Sequence, residues 1–90
     1  MPRLSVRING RVQGVGYRYF VQRRAQEKQV TGWVKNRADG TVEIEAIGTK
    51  VALDEFLSYV RVGPAAANVA SADVHWFDDE PSYKGFDVRF

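Results

Sequence analysis

Cysteine is absent from the 90-residue chain, and with it go a disulfide framework, a thiolate nucleophile and any cysteine-ligated metal. The one histidine, His75, makes an imidazole metal cluster or a Ser/His/Asp triad a poor prospect. Long apolar runs are missing too: none could cross a bilayer, and Met1-Pro2-Arg3 passes directly into a strand pattern with no apolar targeting segment. The expectation is a cytoplasmic protein with no membrane partner. Charge of one sign is scarce, since 13 Lys and Arg stand against 11 Asp and Glu, for a net +2 spread along the chain. That falls well short of the clustered basic footprint of a nucleic-acid binder and suits a small anionic substrate better. The length fits one domain over residues 1–90, as domains commonly run to about 100 to 150 residues. Such a domain buries roughly 60 to 65% of its unfolded surface, enough for one two-layered core, so any site is expected to be a shallow surface cup.

Among what is present, Gly10-Arg11-Val12-Gln13-Gly14-Val15-Gly16-Tyr17-Arg18-Tyr19-Phe20 stands out. An alternating strand runs into glycines at 10, 14 and 16, and the apolar spacing then changes to that of a helix. Glycine lets successive N–H groups turn toward one point, and a helix start adds unpaired N–H groups and the positive end of its dipole. Arg18 follows where its forked donors can grip two oxygens of a phosphate. The familiar nucleotide motifs fail: Tyr19 takes the third glycine position of a dinucleotide fingerprint, and no Gly-Lys-Ser/Thr follows. The loop alone fits two readings, an anion cradle or a tight strand-to-helix turn beside a solvated arginine.

Taken in order, Leu4, Val6 and Ile8 alternate with Ser5, Arg7 and Asn9, which predicts a strand. Tyr17, Phe20, Val21 and Ala25 predict a helix ending near Lys28, though no glycine marks the exit at Lys28-Gln29. Val30 to Arg37 reads as a second strand, with Val30, Gly32 and Val34 on one face and Trp33 on the other. Ala38-Asp39-Gly40 forms a three-residue turn, and Thr41 to Ile47 returns with Val42, Ile44 and Ala46 inward and Glu43 and Glu45 outward. Asn36 lies at the closed end of this hairpin. Lys50 to Arg61 predicts a second helix through Leu53, Phe56, Leu57 and Val60, with Thr49 as N-cap and Gly63-Pro64 as the stop. Asn68 to Phe77 is extended, Asp78-Asp79-Glu80-Pro81-Ser82 is a loop, and Gly85 to Phe90 is a last strand. The order implies an α+β, ferredoxin-like split βαβ sandwich, with two helices on one face of a mainly antiparallel sheet of four to five strands.

The stretch from Gly10 to Arg18, followed by Gly32-Trp33-Val34-Lys35-Asn36 and Asp39-Gly40-Thr41-Val42-Glu43, resembles the two signature blocks of the acylphosphatase family. The similarity continues through Gly63-Pro64 and Val74-His75-Trp76 to Gly85-Phe86. Tyr17 stands where phenylalanine is usual, Lys28-Gln29 lacks the customary glycine, and Asn68 and His75 replace more commonly charged positions. The resemblance implies hydrolysis of the carboxyl-phosphate bond of a small-molecule acylphosphate, giving a carboxylate and inorganic phosphate without a metal; a monomer that uses no cofactor is expected. It assigns phosphate binding to Arg18 and to the backbone of Gln13, Gly14, Val15, Gly16 and Tyr17, and water holding to Asn36.

The chemistry of these side chains agrees with those roles. Arg18 does not lose its proton and Asn36 cannot act as a base, yet the amide can both accept from and donate to a water. The expectation is direct water attack on phosphorus, with the proton passing to a phosphate oxygen. Alone, Asn36 reads more often as a turn residue, since asparagine favours hairpin ends. His75 reads as a surface residue, Trp33 and Trp76 as packing residues, and Arg23 and Arg24 as solvated. The rival reading is a non-catalytic phosphate- or nucleic-acid-binding module, since ferredoxin-like sheets also bind RNA through exposed aromatics.

Overall fold

The computed structural model describes residues 1–79 and 81–90; the Glu80 part of the expected loop lies outside the described residues. Seven elements follow in order: β1 (Arg3–Arg11), α1 (Tyr17–Glu27), β2 (Thr31–Asn36), β3 (Val42–Ile47), α2 (Lys50–Val62), β4 (Asn68–Phe77) and β5 (Phe86–Arg89). The strands form one sheet in the order β4-β1-β3-β2-β5. All neighbours are antiparallel except β2 and β5, which run parallel. The expected α+β sandwich is therefore what forms, with five strands and one parallel pair at its edge.

The period of two decides which side chains face the helices. Leu4, Val6 and Ile8 of β1 meet Ala46, Ile44 and Val42 of β3 in register, and all six are buried. From above, α1 adds Tyr17, Val21 and Ala25, and α2 adds Leu53, Phe56, Leu57 and Val60, closing a single core. Burying a large apolar side chain is worth about 1.5–3 kcal/mol, so this seam supplies much of the drive to fold.

The other face of the sheet is open, and its polar residues pair with one another. Glu45 points to that side as its alternation requires, yet it is only 7% exposed, because Arg3 and Ser5 both donate to its carboxylate. Arg3 also bridges to Asp79 and stacks on Phe77. The guanidinium of Arg89 lies 4.6 Å from the ring centre of Trp33, so the chain's own cation covers that indole.

Several boundaries differ by one residue from the sequence expectation. Val30 and Arg37 flank β2, Thr41 precedes β3, α2 runs one residue past Arg61, and Gly85 and Phe90 flank β5. The exit from α1 is made without glycine: Gln29 takes φ 58°, and Val30 N–H donates back to Ala25 O. A side-chain-bearing residue thus adopts the left-handed turn that glycine usually supplies.

Candidate active site

The glycine stretch divides its labour. Gly10 belongs to the sheet: a Cβ there would lie 2.1 Å from Asn68 O on β4, at a register shift between Asn9 and Gly10. Gly14 and Gly16 belong to the loop, with φ of 75° and 76°, and a Cβ at either would meet nothing within 4 Å. Positive φ is what confines these two positions to glycine, and it turns the chain sharply from β1 into α1.

Gly16 is the N-cap of α1, and no side chain caps the helix. The first α-helical bond runs from Phe20 N to Gly16 O, so the N–H groups of Tyr17, Arg18 and Tyr19 precede any intrahelical acceptor. No acidic residue occupies this first turn. Aligned donors and the dipole therefore make the start of α1 attractive to an anion.

A cup of about 210 Å³ opens there, lined by Val12, Gly14, Gly16, Tyr17, Arg18, Tyr19 and Asn36. Asn36 reaches it as the last residue of β2, on the same side of the sheet as Gly32 and Val34. Its side-chain oxygen Oδ1 is buried and has no hydrogen-bond partner among the described residues. A buried acceptor left so costs about 1–3 kcal/mol, which marks a position kept for something other than folding.

Arg18 is aimed by the far end of the chain. Its Nη1 donates to Arg89 O at 2.8 Å, and its guanidinium carbon sits 4.4 Å from the centre of the Phe90 ring. One edge of the fork is thereby held on β5 while the residue lines the cup.

The remaining expected site residues shape the loop. The Gln13 side chain donates to Arg37 O at 2.8 Å and Thr41 O at 2.9 Å, tying the loop to the hairpin that carries Asn36. Val15 packs against the core and does not line the cup. Tyr17 is buried, and its hydroxyl donates to Val60 O at 2.7 Å in the last turn of α2. Burial pushes the Tyr17 phenol well above its usual range, so it remains a donor.

Sequence reasoning missed Tyr19, Arg89 and Phe90. Tyr19 carried a signal, as a large aromatic next to Arg18 on the polar side of the helix. The clamp on Arg18 carried none, because it joins residues 71 positions apart through a main-chain oxygen.

A larger hollow of about 460 Å³ lies on the open face, lined by residues that include Ser5, Arg7, Glu43, Asp73 and His75. It shares no residue with the glycine loop. Among the described residues no group of three or more His, Cys, Asp or Glu is placed to hold a metal ion. No helix among them is long and apolar enough to cross a membrane.

The comparisons with known proteins agree with one another. A family model described as Acylphosphatase matches residues 4–88. An acylphosphatase of Salinibacter ruber is 49% identical over 87 residues, covering 97% of this chain and 92% of that one. The crystal structure of acylphosphatase from Bacillus subtilis aligns over 100% of both chains with a TM-score of 0.97 and 39% identity. Full-length HypF in its phosphate- and nucleotide-bound form aligns with a TM-score of 0.90 and 28% identity, over 99% of this chain and 12% of that one. With both signature blocks meeting at one cup, and with the Salinibacter ruber and Bacillus subtilis proteins matched over nearly their whole length, the chain belongs to the acylphosphatase family.

Proposed function

We propose that this chain hydrolyses acylphosphates by direct attack of a water held by Asn36, on a phosphoryl group gripped by Arg18 and the 13–17 backbone. The observation that carries the reading is the unpartnered, buried Oδ1 of Asn36 in the same cup as Arg18 and the uncapped start of α1. That oxygen accepts a hydrogen bond from the water and so turns the water's own lone pair toward phosphorus. A bond forms between the water oxygen and phosphorus while the bond from phosphorus to the acyl oxygen breaks. The carboxylate leaves with the electron pair, and the water's proton passes to a phosphate oxygen of the substrate.

No titrating side chain is required. Positioning and charge stabilisation supply most of the rate in phosphoryl transfer, and a guanidinium beside aligned N–H groups provides both. The charge stabilisation comes from these fixed donors, so the reading needs neither metal nor cofactor. It treats residues 1–90 as one domain acting as a monomer in the cytoplasm. Nucleic acid is left out on two grounds: the net charge is only +2, and Trp33 on the open face is already stacked by Arg89.

The test is release of benzoate from benzoyl phosphate in the presence of a chelator. Wild type should turn over. Asn36→Ala should lose about a hundredfold or more in kcat while inorganic phosphate still inhibits as in wild type. Arg18→Ala should lose about 10²- to 10³-fold in kcat and phosphate inhibition with it. Equal activity in all three proteins discards the site, and phosphate binding without turnover in wild type leaves only a binding module.

A further inference from the structure

Little of the cup's apolar lining is free to meet the acyl half of a substrate. The cup's volume is about 210 Å³, and two of its apolar lining residues, Val12 and Tyr17, are each 1% exposed and already packed in the core. Tyr19 is different. It lines the same cup, it is 58% exposed, and it has no ring or hydrogen-bond partner among the described residues.

Its position around α1 gives it a direction. At 3.6 residues per turn, residue 19 lies about 200° round the helix from residue 17. Tyr17, Val21 and Ala25 are the buried positions of α1, so Tyr19 stands on the side turned away from the sheet. Helical side chains also tilt toward the N-terminus of their helix, which leans the Tyr19 ring over the open start of α1. Asn36 meets the cup from the sheet side, at the end of β2.

In-line displacement then fixes where the leaving group goes. The attacking and leaving oxygens sit on opposite sides of phosphorus. With the water on the Asn36 side, the acyl oxygen departs on the side of the exposed Tyr19 ring. We infer that Tyr19 is the acyl-binding wall of the site, and that it selects acylphosphates whose acyl group is flat and aromatic over those with a short aliphatic one. This inference rests on the proposed hydrolysis and on Asn36 as the water holder.

An offset or edge-on contact between two aromatic rings is worth roughly a three- to tenfold preference, and an acetyl group cannot make it. The experiment compares kcat and KM for benzoyl phosphate and acetyl phosphate in wild type, Tyr19→Ala and Tyr19→Phe, with inhibition by inorganic phosphate measured in each. Tyr19→Ala should lower kcat/KM for benzoyl phosphate roughly three- to tenfold more than for acetyl phosphate, chiefly through KM. Tyr19→Phe should retain the wild-type ratio, because the ring and not the hydroxyl makes the contact. Equal losses on both substrates, or an unchanged ratio in Tyr19→Ala, overturn the inference and leave the hydrolysis standing. Loss of phosphate inhibition in Tyr19→Ala also overturns it, since the ring would then support the cradle. Failure of wild type to hydrolyse either substrate removes the proposed hydrolysis itself, and the acyl-binding role with it.

Discussion

The two helices of this protein start in opposite ways. Thr49 caps α2 by accepting from Ala52 N–H at 3.1 Å, and Lys50 in the same turn is paired with Asp54 at 2.8 Å. At α1 the N-cap is Gly16 in the left-handed conformation, with no side-chain cap and Arg18 in the first turn. The fold can close a helix start with its own side chains, and it does so at α2. Leaving α1 open, with glycine at the N-cap, forgoes only about a few tenths of a kcal/mol of capping. The same donors, with Arg18 and the unpartnered Asn36 around them, form the cup. On the proposed reading, an interaction that folding could have satisfied internally is reserved for an anion from outside.

The contrast can be broken most severely by filling the open start. Gly16→Asp sets a carboxylate at the mouth of the cup, in a left-handed conformation that Asp tolerates better than most residues. We expect kcat/KM on benzoyl phosphate to fall by about a hundredfold or more, with a far smaller loss for Gly16→Asn, which keeps the bulk without the charge. Similar losses in the two variants would show that shape and not charge governs the cradle.

A second change separates the two helices where they are joined. The hydroxyl of Tyr17 donates to Val60 O, so α2 supports the start of α1 through its own C-terminal turn. Tyr17→Phe leaves that buried carbonyl without its donor and should cost about 1–3 kcal/mol in urea unfolding. A difference near zero would mean that the ring alone does the packing.

The closed start offers a milder test. Thr49→Ala should lower stability by about 1 kcal/mol while turnover per folded molecule matches wild type, because α2 begins away from the cup. Any loss of turnover beyond the loss of folded protein would join the two starts functionally and blunt the contrast.

The smallest effect expected concerns the hairpin that carries Asn36. Hydrogen bonds from the Thr41 hydroxyl, and then from its N–H, hold the Asp39 carboxyl below the usual carboxylate range. A folded value below the unfolded one gives stability that is fully present above about pH 4 and is lost as pH falls through the folded value. Asp39→Asn should therefore flatten the acid limb of the melting profile and leave the neutral region little changed. An unaltered acid limb would show that the bond adds nothing to the hairpin.

Much of this architecture was legible because local pattern and tertiary packing agree. Leu4, Val6 and Ile8 alternate in the sequence and are buried in the fold, and Thr49 reads as a cap and acts as one. Arg18 and Asn36 could be paired as site residues only because two motif blocks resemble those of a family; 18 positions apart, they share no local periodicity. The parallel pairing of β5 with β2 and the hold of Arg89 and Phe90 on Arg18 were invisible, since both depend on where the last strand docks. The burial of Glu45 escaped for a similar reason: alternation gives a direction, not the neighbours that cover it. At Gln29 the sequence misleads, because a left-handed turn there is imposed by the Val30 bond back to Ala25 and not by residue type.

The most direct test of the reserved helix start is a titration of the protein with inorganic phosphate, followed amide by amide by 1H–15N NMR. Saturable shifts should concentrate at the N–H groups of Gly14 to Tyr19 and at the side-chain amide of Asn36, while the N–H groups of Lys50 to Ala52 at the capped helix stay in place. Shifts of similar size at both helix starts, or none at residues 14–19, would contradict it.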